Sequence, residues 1–179
     1  MSSETKNIYI VLSQTGTLPS KVIRLITRAE YNHASISVKK DLSDMYSFGR
    51  LNPYNPFWAG FVVENPKKGT FKRFPETKAV VLEVEVSEEK YQEITNSLEN
   101  MCSDQKNYHY NYVGLVLASC NIKRKKERCY FCSEFVGELL LKHGIVSEEM
   151  LPEIVRPMNF TELEFKKIYQ GKLVDYRAI

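Results

Sequence analysis

The chain has 179 residues, of which 43% are hydrophobic and 26% charged, and it carries a formal net charge of +3. Those values exclude a disordered chain and suit one domain, residues 1–179, able to bury about two thirds of its unfolded surface without staples. The longest apolar run, Val113 to Cys120, is far short of the ~20 residues of a bilayer crossing, and Ile8 to Leu12 is too short for a signal-peptide core; no membrane span and a cytoplasmic location with reduced thiols are expected.

Asn7 to Ser13 is apolar with β-branched and aromatic members and reads as a buried strand. Gln14-Thr15-Gly16-Thr17 is a turn, and Pro19 or Ser20 opens a helix that turns Val22, Ile23, Leu25 and Ile26 to one face. From His33 to Val38 the pattern alternates, with His33, Ser35 and Ser37 on one side and Ala34, Ile36 and Val38 on the other. This is a strand with one face in the core. A polar loop, residues 39–44, returns the chain into Met45 to Gly49 as a hairpin.

The stretch Asn52 to Pro66 holds three prolines and the aromatics Tyr54, Phe57, Trp58 and Phe61. It reads as an ordered loop packed on the body. Phe71 to Phe74 and Ala79 to Val86 are strands. Ser87 caps a helix running to about Met101, with Glu88 and Glu89 in its first turn. Tyr112 to Ser119 is a deeply buried helix, and Phe131 to Lys142 is another, ended by Gly144. Helical turns follow near Ser147 to Met150 and Phe160 to Ile168, then a last strand near Lys172 to Val174. The class is α+β, an antiparallel sheet packed against helices.

Four cysteines are present: Cys102, Cys120, Cys129 and Cys132. Cys132 stands in the first turn of its helix and shares a face with Phe135, Val136 and Leu139, at spacings of three, four and seven. There the unpaired N–H groups and the macrodipole supply partial positive charge, which favours a thiolate and could hold an oxyanion. The plain alternative is a buried, inert thiol. Cys102 and Cys120, inside amphipathic or apolar helices, fit that alternative better.

Three histidines compete for the role of base. His143 is eleven positions beyond Cys132 on one helix, about 16 Å along its axis at 1.5 Å per residue, and cannot reach. His109 lies in a loop or first turn among tyrosines. His33 opens a strand beside two serines, which leaves its ring outside the hydrophobic core. A ring fixed on a strand and a sulfur fixed at a helix terminus make a rigid thiol–imidazole pair.

The segments Asn32-His33-Ala34-Ser35-Ile36-Ser37, Met45-Tyr46-Ser47-Phe48-Gly49-Arg50 and Tyr130-Phe131-Cys132-Ser133-Glu134-Phe135-Val136 resemble the circularly permuted papain-like (NlpC-type) amidases. In that group the histidine strand precedes the cysteine helix. The resemblance spans roughly residues 7–143. It implies a permuted papain-like fold with Cys132 as nucleophile and His33 as base. It also places the third, orienting residue on the strand after the histidine, where Ser47 aligns and many relatives carry a carboxylate. Ser133, Tyr31 and Trp58 are the corresponding oxyanion and pocket candidates. The family cleaves amide bonds of cell-wall peptides, and some relatives transfer acyl groups on lipids. The implied substrate is therefore a small peptide- or amide-containing molecule, with no cofactor and no metal.

Other readings stay open beside this one. Cys129-Tyr130-Phe131-Cys132 is a C-x-x-C at a helix start, the pattern of a dithiol redox site. A structural zinc would need two more ligands, for which no spacing is visible. A non-catalytic binding or scaffold module is the remaining alternative. Lys123-Arg124-Lys125-Lys126-Glu127-Arg128, with five cations in six positions, reads as a solvated loop. It lacks the interleaved aromatics of a nucleic-acid contact, though it could fold back to favour a thiolate at Cys129 or Cys132.

Overall fold

A computed structural model of the chain describes residues 5–14 and 30–178. Strands Thr5–Gln14 (β1), His33–Ser37 (β2), Met45–Asn52 (β3), Asn55–Glu64 (β4), Lys78–Ser87 (β5), His109–Tyr110 (β6), Cys129–Tyr130 (β7) and Lys166–Lys172 (β8) join in one sheet. Their order is β7-β6-β4-β3-β2-β1-β5-β8. Neighbours are antiparallel except β6 and β7, which run parallel. Helices Gly69–Arg73 (α1), Glu88–Ser103 (α2), Tyr112–Ser119 (α3) and Cys132–Lys142 (α4) complete a mixed α+β architecture. No helix among the described residues is long and apolar enough to cross a membrane.

The continuous apolar character of β1 follows from its place between β2 and β5, with both faces covered. Ile8, Ile10 and Leu12 join Ala34, Ile36, Phe48 and Phe61 in one core cluster, closed by Ile94 and Leu98 of α2 and by Phe135, Val136 and Leu140 of α4. Tyr9 and Val11 point the other way, into a smaller cluster with Met45, Val81, Phe71 and Leu173. Period-two alternation thus divides one strand between two cores.

The helix ends follow local chemistry. Ser87 Oγ accepts a hydrogen bond from the Lys90 N–H, and Glu88 and Glu89 occupy the first turn of α2. Beyond α4, Gly144 adopts a left-handed φ of 60° and the Ile145 N–H reaches back to the Leu140 carbonyl at 2.9 Å. A residue with a Cβ would be strained there.

Several expectations are corrected. Residues 52–66 are not a packed loop: most of them form β4, hydrogen-bonded along β3 with Phe48 opposite Phe61. The side chains of Asn52 and Asn55 accept hydrogen bonds from the N–H groups of Tyr54 and Phe57, so asparagine turns reverse the chain where a glycine was absent. Phe71 lies on α1 rather than a strand. The segment after Phe160 divides into a 3-10 turn at Pro157–Glu162 and strand β8, whose lysines suit an edge position. The expected last strand is a 3-10 turn at Leu173–Asp175. Helix α3 is not deeply buried: only Gly114 and Ala118 are covered, while Val113 and Val116 face solvent. The turn at residues 15–17 and the helix opened by Pro19 or Ser20 lie outside the described residues.

Candidate active site

His33 is the first residue of β2, paired with Ser13 of β1. Cys132 is the first residue of α4, and Phe131 is its N-cap. Apolar packing of Phe135 and Val136 against Ala34, Ile36 and Phe48 holds the helix beside that strand. The Cys132 thiol lies near enough to the His33 ring to raise the imidazole pKa. On the other side of the ring, Nε2 lies 2.9 Å from Oε2 of Glu64. The same carboxylate oxygen accepts a 2.8 Å hydrogen bond from Ser35 Oγ. With Nε2 engaged by Glu64, Nδ1 is the nitrogen left for sulfur.

Burial by itself would push the His33 pKa down. The Glu64 carboxylate, the hydrogen bonds to Cys132 and Glu64, and negative charge on Cys132 reverse that effect, and the net result is well above the usual imidazole value. Negative charge around the ring thus favours its imidazolium form, against the cost of burial. The His33 side chain is 15% exposed and that of Glu64 9%, so solvent screens their interaction only weakly. Gly49 lies against the pair: a Cβ there would be 3.4 Å from both His33 Cε1 and Glu64 Oε1, in van der Waals contact.

The start of α4 is anchored from two further segments. Glu134 Oε2 accepts hydrogen bonds from the Phe131 N–H and from Asn111 Nδ2, each at 3.3 Å. Burial raises the Glu134 pKa, against the opposing pull of those two donors. Asn111 also caps α3, its Oδ1 accepting from the Gly114 N–H at 2.8 Å. Ser133 Oγ donates to the Val155 carbonyl at 2.8 Å. Tyr110, on β6, is affected first by burial and then by charge on Cys132, and both raise its pKa. Its ring packs on Tyr112 at a centroid distance of 4.7 Å.

The residues named from the sequence fall into three groups. Cys132 and His33 meet. Ser47 does not serve the imidazole: its buried hydroxyl donates to the Ala34 carbonyl at 2.6 Å, and Glu64 occupies the place beside Nε2. Ser133 is at the helix start with its hydroxyl spent on Val155, so only its N–H faces the terminus. Tyr31 is a core residue rather than a pocket wall, with its hydroxyl accepting from Gln170 at 3.4 Å. Trp58 is exposed on β4.

The remaining histidines and thiols take structural or peripheral places. His109 is exposed on β6 and paired with Gly60 of β4. His143 ties α4 to α2 through Ser97 at 3.0 Å and Glu93 at 3.3 Å. All four cysteines are free thiols, and Cys102 and Cys120 are exposed rather than buried. The face of Ser35 and Ser37 is also covered, so β2 is buried on both sides.

The basic run is exposed, as a solvated loop would be. Lys123, Lys125 and Arg128 are ion-paired with Glu153, Glu138 and Asp104. Lys126 and Arg124 act on Cys129, partly offsetting the rise that burial imposes on its pKa.

Glu64 was missed because its strand was read as a loop. One signal pointed to it: Glu64 is the sole acidic residue between positions 45 and 75. Asn111, three residues before Gly114, carried a helix-cap signature, but its bond to Glu134 depends on tertiary contact.

Comparison of the chain with protein-family models, with curated proteins and with solved structures finds no match in any of the three.

Proposed function

We propose that the protein is a thiol-dependent acyl-transfer enzyme, an amidase or peptidase, in which Cys132 is the nucleophile, His33 the general base and Glu64 the group that orients the imidazole. The observation that carries this reading is the single imidazole that a buried carboxylate engages at 2.9 Å and whose pKa the neighbouring Cys132 thiol raises. A carboxylate on Nε2 fixes the ring and stabilises imidazolium, which a serine could not do. It also removes the feature that best favoured a non-catalytic scaffold, the missing acid. The arrangement is the one expected of the permuted papain-like amidases.

In the proposed cycle His33 Nδ1 takes the proton from Cys132, and the raised imidazole pKa favours that transfer. The thiolate attacks a substrate carbonyl, forming a C–S bond while the carbonyl π pair moves to oxygen. N–H groups in the first turn of α4, including that of Ser133, have no intrahelical partner and can stabilise this oxyanion. The C–N bond then breaks as His33 returns the proton to the departing amine. Water, deprotonated by His33, releases the acyl group and regenerates the thiol. The substrate class is a small peptide or amide.

The test joins reactivity to turnover. Iodoacetamide labels Cys132 rapidly at neutral pH, and His33→Ala slows that labelling about 100-fold or more. A panel of peptide, amide and ester substrates yields a thioester on Cys132 by intact-protein mass spectrometry, absent in Cys132→Ala. Equal turnover of the panel by wild type and Cys132→Ala, or labelling of Cys132 indifferent to His33, overturns the assignment.

A further inference from the structure

Two apolar segments that a soluble fold would be expected to bury are left outside. At the β3–β4 turn, Tyr54 is 78% exposed, and Phe57 and Trp58 on β4 are 84% and 58% exposed. On α3, Val116 is 65% exposed, with Val113 and the following Ile122 also in solvent. Gly114 and Ala118 supply the inward side of that helix, so its larger side chains are the ones turned out.

The two segments are neighbours. β4 pairs with β6 at Gly60 and His109, and α3 begins directly after β6. Arg73 spans the hairpin side, with its guanidinium 4.2 Å over the Tyr54 ring and Nη1 donating to the Pro53 carbonyl at 3.2 Å. Arg50 of β3 is near enough to Arg73 and Tyr112 for each to influence its charge.

Charge is distributed one way across both segments. Residues 45–75 contain Arg50, Lys67, Lys68, Lys72 and Arg73, and their one acid, Glu64, is committed to His33. Residues 105–126 contain Lys106 and Lys123 to Lys126 and no acid. Of these cations, Arg50, Lys72, Arg124 and Lys126 form no ion pair among the described residues. Lys123 and Lys125 are neutralised by Glu153 and Glu138, but exposed aromatics and aliphatics with the four remaining cations around them match the chemistry of an anionic lipid surface. Tryptophan and tyrosine suit the headgroup boundary, aliphatic side chains gain by entering hydrocarbon, and lysine and arginine meet the headgroup phosphates. Nucleobases would stack on the aromatics but offer nothing to Val113, Val116 and Ile122.

We infer that the β3–β4 turn and the outer face of α3 form one peripheral docking surface for a bilayer containing anionic lipid. The surface does not include the side chains of Cys132, His33 or Glu64, and the inference stands whether or not those residues catalyse a reaction.

Trp58 is the sole tryptophan of the chain, so its fluorescence reports on this surface directly. Mixed with vesicles of phosphatidylglycerol and phosphatidylcholine in equal parts, the full chain sediments with lipid and its emission shifts to the blue. Added salt or pure phosphatidylcholine reverses both effects. Phe57→Ser with Val116→Ser lowers the partition coefficient at least about tenfold. Both positions are on the surface, so the thermal midpoint stays near that of wild type, and Cys132→Ala binds as wild type does. Three results overturn the proposal: no sedimentation and no blue shift, equal binding to neutral vesicles, or binding that survives the double substitution. So does a single-stranded oligonucleotide that shifts the Trp58 emission when anionic vesicles do not.

Discussion

Oε2 of Glu64 stands 2.9 Å from Nε2 of His33, across 31 positions of sequence, and the same oxygen accepts the Ser35 hydroxyl. The carboxylate is thereby held from two strands: β2 contributes the imidazole and the serine, and β4 contributes the acid. The ring cannot rotate without breaking a charge-assisted bond. Cys132, the first residue of α4, lies near enough to the same ring to act on its charge.

Glu64→Gln and Ser47→Ala separate the orienting residue from its neighbour. Removing the carboxylate charge lowers the His33 pKa and slows iodoacetamide labelling of Cys132 at neutral pH by about tenfold, the effect of one pKa unit. Ser47→Ala leaves the labelling rate unchanged. It removes the donor to the buried Ala34 carbonyl and costs about 1–2 kcal/mol in urea unfolding. A reversal of these two outcomes would return the orienting role to Ser47.

Stability depends on pH through His33 with a definite sign. Its folded pKa is raised above the ordinary 6.5. Below that ordinary value both folded and unfolded chains hold the proton, and the contribution to stability is fully present. As pH rises past it, the unfolded chain releases its proton first. Stability is then lost progressively until the folded pKa has been passed. Urea midpoints measured from mildly acidic to alkaline pH fall over this window in wild type and fall less in Glu64→Gln. Parallel profiles for the two proteins would contradict the ion pair.

Asn111 and Gly114 support the reactive helix from a distance. A Cβ at Gly114 would lie 2.2 Å from Asn111 Nδ2, so Gly114→Ala displaces the side chain that caps α3 and contacts Glu134. Gly114→Ala and Asn111→Ala each reduce stability by about 1–2 kcal/mol in chemical denaturation. Because both act through one side chain, the double variant loses little more than either single one. Full additivity would show that the two positions are independent.

Cys129→Ser distinguishes a dithiol or metal site from a single nucleophile. Cys129 is a buried free thiol on β7, and burial raises its pKa. The substitution leaves Cys132 labelling and turnover within about twofold, whereas a redox or zinc site would lose its function and change the Cys132 labelling rate severalfold. Intact-protein mass spectrometry after alkylation reads the result at each site.

Much of this protein is local and therefore visible in one dimension. The strand character of β2, the serine cap and acids of α2, the glycine after α4 and the apolar stripe containing Cys132 each rest on contacts within a turn or a strand, although the alternation of β2 wrongly suggested one open face. The β3–β4 turn escaped because paired asparagines did the work usually done by glycine, and its prolines suggested a loop. Helix α3 escaped for another reason: apolar composition states that burial is favourable, but not whether a partner surface is supplied. Tyr112, Val113, Val116 and Ile122 in that segment, and Leu51, Tyr54, Phe57 and Trp58 near the hairpin, are left in solvent, an outcome that tertiary packing decides.

The sequence by itself determined the α+β class and singled out Cys132 and His33 as a candidate pair. Tertiary structure alone decided which oxygen meets that histidine. Side-chain chemistry and short periodicities are carried by neighbouring residues, whereas the approach of Glu64 to His33 depends on β2, β3 and β4 assembling in one register. A shift of one residue in that pairing would turn the carboxylate to the opposite face.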